Sequence, residues 1–125
     1  MVIRKSLREI VLVVCFFILV LPNSLFAWTT PVNISNTPGD SRYASMAVDD
    51  QGYVHVVWHD DTFGKNEILY CFYNGDCWSA PLNLSDDPTD SERSDITVDA
   101  LGHLHVAWID HQSGEIYWTF YDGTS

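Results

Sequence analysis

The side chains able to do chemistry in this sequence divide into those that recur and those that do not. His55 and His105 occupy the same place in Gly52-Tyr-Val-His-Val-Val-Trp-His-Asp60 and Gly102-His-Leu-His-Val-Ala-Trp-Ile-Asp110, and so do Asp60 and Asp110. Residues that repeat in this way are assigned to the framework. His59 and His111 do not repeat. With Arg42, Tyr43, Asp61, Phe63, Glu92, Arg93 and Gln112 they form a candidate ligand rim. It offers aromatic faces for stacking, with charged and amide groups for hydrogen bonds, a mixture suited to sugars. The histidines and acids lack the convergent spacing of a zinc site. Asp86-Asp-Pro-Thr-Asp-Ser-Glu92 lacks the central glycine of an EF-hand loop. No metal or cofactor is therefore expected.

The rim residues need elements to place them, and the sequence supplies these twice. Trp28 and Trp78, Pro31 and Pro81, Asn33 and Asn83, and Val48 and Val98 all stand 50 residues apart. A period of this size across 28–125 signals a repeat architecture, with units 28–77 and 78–125. Each unit reads as short runs of β-formers separated by turn residues: 28–35, 43–48, 53–58 and 67–73, then 78–85, 94–98, 104–108 and 115–121. No helical apolar period of useful length occurs, so the fold class is all-β. Four short antiparallel strands per repeat is the plan of a β-propeller blade, and two repeats make a partial propeller. In this phase 28–35 is a closing strand without a blade of its own. The rim residues fall in the loops before the first and after the second strand of a blade.

Residues 1–27 are set apart. Arg4, Lys5 and Arg8 precede an apolar run from Ile10 to Leu21, and Ala27 offers a small residue for cleavage, the layout of a secretory signal peptide. The run is short of the roughly 20 residues a bilayer span needs. A secreted or periplasmic protein with no stable membrane span after cleavage is expected. The whole chain carries a formal charge of −11, and half of its six basic residues lie in the leader. The remainder is strongly acidic, which argues against nucleic acid as a partner.

Longer phrases carry a family likeness: Trp78-Ser-Ala-Pro-Leu-Asn-Leu-Ser85, Ile96-Thr-Val-Asp-Ala-Leu-Gly102, and Glu115-Ile-Tyr-Trp-Thr-Phe-Tyr-Asp-Gly123. Together with Leu104–Asp110 they resemble the sialidase/neuraminidase superfamily of six-bladed propellers over all of 28–125. The resemblance implies an Asp-box hairpin, here degenerate: Cys71, Gly75, Cys77 and Trp78 fall on its Ser, Gly, Thr and Trp positions. In the second repeat Thr119, Gly123 and Ser125 fall on the first three of these. A disulfide between Cys71 and Cys77 is expected for an exported protein, on condition that the loop between them puts both on one face. The resemblance also implies the needs of sialidase catalysis: three arginines for the substrate carboxylate, a tyrosine nucleophile activated by glutamate, and an aspartic acid/base. Only Arg42 and Arg93 are present outside the leader, so a complete sialidase site is not expected.

The reading is an exported, non-catalytic propeller module that binds glycans or protein partners, as a piece of a longer propeller with further blades. Two alternatives stand beside it. One is a fragment of a catalytic exo-sialidase. The other is a two-blade lectin subunit whose homotrimer closes a six-bladed ring, each copy's 28–35 completing the last blade of its neighbour.

Overall fold

The computed structural model describes residues 27–123. Apart from Ala27, the expected signal peptide lies outside the described residues. Among the described residues there is no helix and hence none long and apolar enough to cross a membrane. The chain is all-β, with two antiparallel sheets. The first holds β1 (Ser41–Val48), β2 (Val54–Asp60), β3 (Glu67–Tyr73) and the short β4 (Leu82–Asn83), in that spatial order. The second holds β5 (Ser91–Val98), β6 (Leu104–Asp110) and β7 (Ile116–Tyr121).

The repeat is visible in the register. Val56 pairs with Met46 on one side and Cys71 on the other; Val106 pairs in the same way with Ile96 and Thr119. The β1–β2 and β5–β6 turns are built alike. The Asp49 carboxylate accepts the backbone N–H groups of Gln51 and Tyr53 at 3.0 and 2.8 Å, and Asp99 accepts those of Leu101 and His103 at 2.8 and 2.9 Å. Gly52 and Gly102 close these turns at φ of 82° and 84°, where a Cβ would be strained.

Two of the expected strands differ. Of 78–85 only Leu82–Asn83 is strand, with Trp78 bridged singly to Tyr73. Residues 28–35 form no strand at all. A strand is defined by its ladder, which strand-like composition alone does not supply.

Alternation along the strands gives the first sheet two apolar faces. Val57 and Ile68 on one face are fully buried against Ile96, Val106 and Trp108 of the second sheet, with Ala47, Tyr70 and Leu84 at the margin. Burial of aliphatic side chains of this size contributes roughly 1.5–3 kcal/mol each. The opposite face gathers Val56, Trp58, Leu69 and Cys71, with Ile34, Val54 and Trp78 packed against them. Polar ties reinforce the contact between sheets. Ser45 Oγ donates to Asp95 at 2.6 Å, and Asn66 Nδ2 donates to Glu92 at 2.7 Å.

The Cys71–Cys77 bridge is not formed; both thiols are free. Tyr73 pairs with Trp78, so residues 74–77 make the turn, held by Asn74 Oδ1 accepting the N–H groups of Asp76 and Cys77 at 3.0 and 2.9 Å. Cys77 is exposed within that turn, while Cys71 lies in the strand and faces the buried cluster. The condition of a shared face is not met. Burial pushes the Cys71 thiol up to about 11, far from a reactive thiolate. Alkylation of the folded protein at pH 8, read by peptide mapping, is expected to label Cys77 and to reach Cys71 only after unfolding.

The buried carboxylates at the ends of β2 and β6 are fully enclosed or nearly so, but they are served differently. Asp60 accepts from Thr37 and Ser41 at 2.7 Å, Trp58 Nε1 at 3.3 Å, and the Thr62 amide and hydroxyl at 2.9 and 2.5 Å. Asp110 accepts from Thr89 and from the Ser113 amide and hydroxyl. Ser91 Oγ and Trp108 Nε1, the counterparts of Ser41 and Trp58, are buried without a hydrogen-bond partner among the described residues. The same truncation should therefore have unequal effects. Ser41→Ala is expected to lower unfolding free energy by about 1 kcal/mol, and Ser91→Ala to change it by less than about 0.5 kcal/mol, as read from urea melts.

Candidate ligand-binding rim

The rim is created by a matched irregularity in β1 and β5. Each carries a bulge, between Arg42 and Ser45 and between Glu92 and Asp95. Inside the bulges Tyr43 and Arg93 both adopt a left-handed backbone, each at φ 53°. A bulge re-aims a side chain, and a bulky residue held left-handed is strained. Both side chains are exposed as a result.

His59 lies between the two bulges. Its ring is buried, 5.2 Å from the Tyr43 ring and tilted by 38° to it. Its Nδ1 accepts the backbone N–H of Arg93 at 3.2 Å, which binds the second sheet to the first. That bond requires an unprotonated Nδ1. Burial, opposed by Glu92 but reinforced by Arg42 and Arg93, lowers the His59 pKa. Glu92 is held by Asn66 and lies 4.0 Å from His111 Nδ1. Arg42 is exposed and pairs with Asp40 at 2.8 Å.

Six of the nine rim residues thus converge at the junction of the sheets: Arg42, Tyr43, His59, Glu92, Arg93 and His111. The other three do not join them. Asp61 is a loop brace, accepting the Asp40 amide at 2.8 Å, in the loop where Gly39 approaches so closely that a Cβ would lie 2.5 Å from Asp61 Oδ1 and the Thr62 amide. Phe63 is exposed, and Gln112 lines a separate hollow with Asp87, Pro88, Thr89, Asp110 and Tyr117. A cavity of about 270 Å³ adjoins Arg42 and Tyr43, floored by Val56 and Trp58 and walled by Asn33–Ser35.

The repeating histidines have a structural task. His55 Nδ1 meets the Tyr70 hydroxyl at 2.9 Å, and its Nε2 meets Asp49 at 3.3 Å. Burial pushes the Tyr70 hydroxyl up to about 12. In the second repeat His103 and His105 both approach Asp99 Oδ2, at 3.0 and 3.1 Å. These contacts, His105 foremost, hold the Asp99 carboxyl well below its usual range against some desolvation. The three ligand atoms lie within 4.8 Å of one another, a set able to hold a zinc-like cation. The sequence reading missed this group, although the signal was the spacing Asp99-x3-His103-x-His105. Two of its members recur as Asp49 and His55, with Tyr53 in place of His103; that pair braces the turn in both repeats.

No family model matches the chain, and no curated protein sequence matches it.

The depressed His59 and Asp60 pKa values set a pH dependence with two stages. Below about pH 6.5 the unfolded chain takes up a proton at His59 before the folded chain does, so stability falls with pH. Burial tends to raise the Asp60 pKa, but Thr62, Ser41 and Thr37 together pull it below the ordinary range. Its contribution is complete above about pH 4 and is lost as the pH falls further. The urea midpoint is expected to decline from pH 7 to 5 and again below pH 4. His59→Asn should flatten the first decline, and Asp60→Asn the second.

Proposed function

We propose that this chain is an exported, sialidase-like propeller module that binds glycans and does not cleave them. Each sheet is then one blade, in whole or part, of a larger propeller. The observation that carries the binding assignment is the paired left-handed bulge. It exposes Tyr43 and Arg93 on either side of the buried His59 and brings Glu92 and His111 alongside. A tyrosine ring beside guanidinium, carboxylate and imidazole groups can stack on a pyranose face and hydrogen-bond to its hydroxyls. The argument against catalysis is chemical. Within residues 28–125 a three-arginine clamp on a sugar carboxylate has only Arg42 and Arg93 to draw on, and Arg42 is paired with Asp40. Asp60, the acid that ends β2, is buried and occupied by four neighbouring residues, which leaves it unsuited to act as an acid/base.

A glycan panel with the purified protein tests this. Binding to a subset of glycans is expected, with a loss of tenfold or more on Tyr43→Ala or Arg93→Ala. Gln112→Ala, in the separate hollow, should leave it unchanged. Uniformly absent binding, or turnover of a sialoside, would overturn the reading.

A further inference from the structure

The turn between β5 and β6 gathers three ligating side chains. His103 and His105 stand two residues apart at the entry to β6, a spacing that puts both rings on one face. Asp99 returns to them across the turn. The turn is closed by the Gly102 N–H donating to the Asp99 carbonyl at 3.0 Å and the Asp99 N–H donating to the His103 carbonyl at 2.9 Å. The two carboxylate oxygens have separate tasks. Oδ1 accepts the backbone N–H groups of Leu101 and His103, at 2.8 and 2.9 Å. Oδ2 faces His103 Nδ1 at 3.0 Å and His105 Nε2 at 3.1 Å. Trp118 and Phe120 of β7 stack on the His105 ring at 5.8 and 5.9 Å, and Phe120 meets the His103 ring edge-on. Turn amides thus orient the carboxylate, and aromatic contacts orient the rings.

The first repeat shows the same turn without a second imidazole. Asp49 and His55 take the places of Asp99 and His105, but Tyr53 stands where His103 does. His55 Nε2 meets Asp49 at 3.3 Å and its Nδ1 meets the Tyr70 hydroxyl at 2.9 Å, so both ring nitrogens are engaged by protein groups. The His55 side chain is 8% exposed. In the second repeat Trp118 holds the register position of Tyr70. There the side chains of His103, His105 and Asp99 are 29%, 29% and 32% exposed. That exposure gives an ion a path from solvent to the second turn, and the first turn is nearly closed.

We propose that Asp99 Oδ2, His103 Nδ1 and His105 Nε2 bind a divalent cation of the zinc class, with water in its fourth position. The three atoms lie within 4.8 Å of one another. Ligands around a tetrahedral ion with bonds of about 2.0–2.1 Å stand roughly 3.3 Å apart. Spacings of 3.0 and 3.1 Å to the carboxylate oxygen therefore need little adjustment. Without an ion, each ring carries its proton toward Oδ2. With one, each carries it on the other nitrogen and turns a lone pair to the metal. Two imidazoles and one carboxylate select zinc and its transition-metal neighbours over calcium and magnesium, which take oxygen ligands. The expectation of no metal weighed linear spacing, and here the turn supplies the convergence. The inference goes beyond glycan binding and does not depend on it: Glu92 and Arg93 of the rim stand near the start of β5, and Asp99 follows its end.

Calorimetric titration with zinc tests this, on protein purified without a histidine tag and stripped with chelator, at about pH 7.5 where imidazoles are neutral. One equivalent per chain is expected to bind with micromolar affinity, even in excess calcium. His103→Tyr installs the residue that the first repeat carries at this place. It should weaken binding tenfold or more, with the far-ultraviolet spectrum of β-structure unchanged. Asp99→Asn keeps an oxygen for the turn amides and should weaken binding likewise. Cys77→Ser, at the exposed thiol, should not. Cobalt(II) bound to the unaltered protein gives a readout independent of any variant: visible d–d bands are expected, without a thiolate charge-transfer band. No binding at about 100 µM zinc, undiminished binding by folded His103→Tyr, or a thiolate band would each refute the inference.

Discussion

The contact between the two sheets is the constraint on which everything else depends. Val57 and Ile68 cannot be buried by their own sheet, because a sheet covers only its edges and leaves both faces open. The second sheet supplies the missing wall with Ile96, Val106 and Trp108. Once that wall is in place, β1 and β5 lie near enough for Ser45 to reach Asp95, and the loop after β2 near enough for Asn66 to reach Glu92. The rim is a by-product of this packing: His59 meets the Arg93 amide because the sheets are held face to face.

The second organising element is the acid that ends each long central strand. Asp60 and Asp110 each gather the loop that enters the sheet and the loop that leaves it. Their differences matter as much as their similarity. Asp60 satisfies a tryptophan indole and a serine that have no counterparts bonded to Asp110. The repeats thus share a backbone plan while distributing polar satisfaction unevenly, and the first repeat is the better-braced.

Most of the fold could be read in advance because its signals are local. The pattern Glu67–Tyr73 ends at turn residues, and its predicted and observed limits coincide. Gly52 and Gly102 marked tight turns for the same reason. What escaped prediction depends on a pairing partner or on the length of a turn. Residues 28–35 have the composition of a strand but no ladder to join, and the Cys71–Cys77 bridge depended on a turn length that Asn74-Gly75 alone does not determine. The rim was legible as a set of loops, not as a set of contacts. Position alone put Asp61, Phe63 and Gln112 with the others, while Asp61 is engaged by the Asp40 amide and Gln112 lines another hollow. The Asp99–His103–His105 group was hidden by its resemblance to a repeating pair.

The left-handed residues inside the two bulges set robustness against the exposed aromatic and cationic face they form. An L-residue in that conformation costs about 1–2 kcal/mol, and glycine would remove most of this penalty. Tyrosine and arginine stand there instead, in two places related by the repeat. Variants chosen for thermal resistance alone would drift toward glycine at 43 and 93, and the molecules that survived heating best would be those that had lost the face they present to the outside.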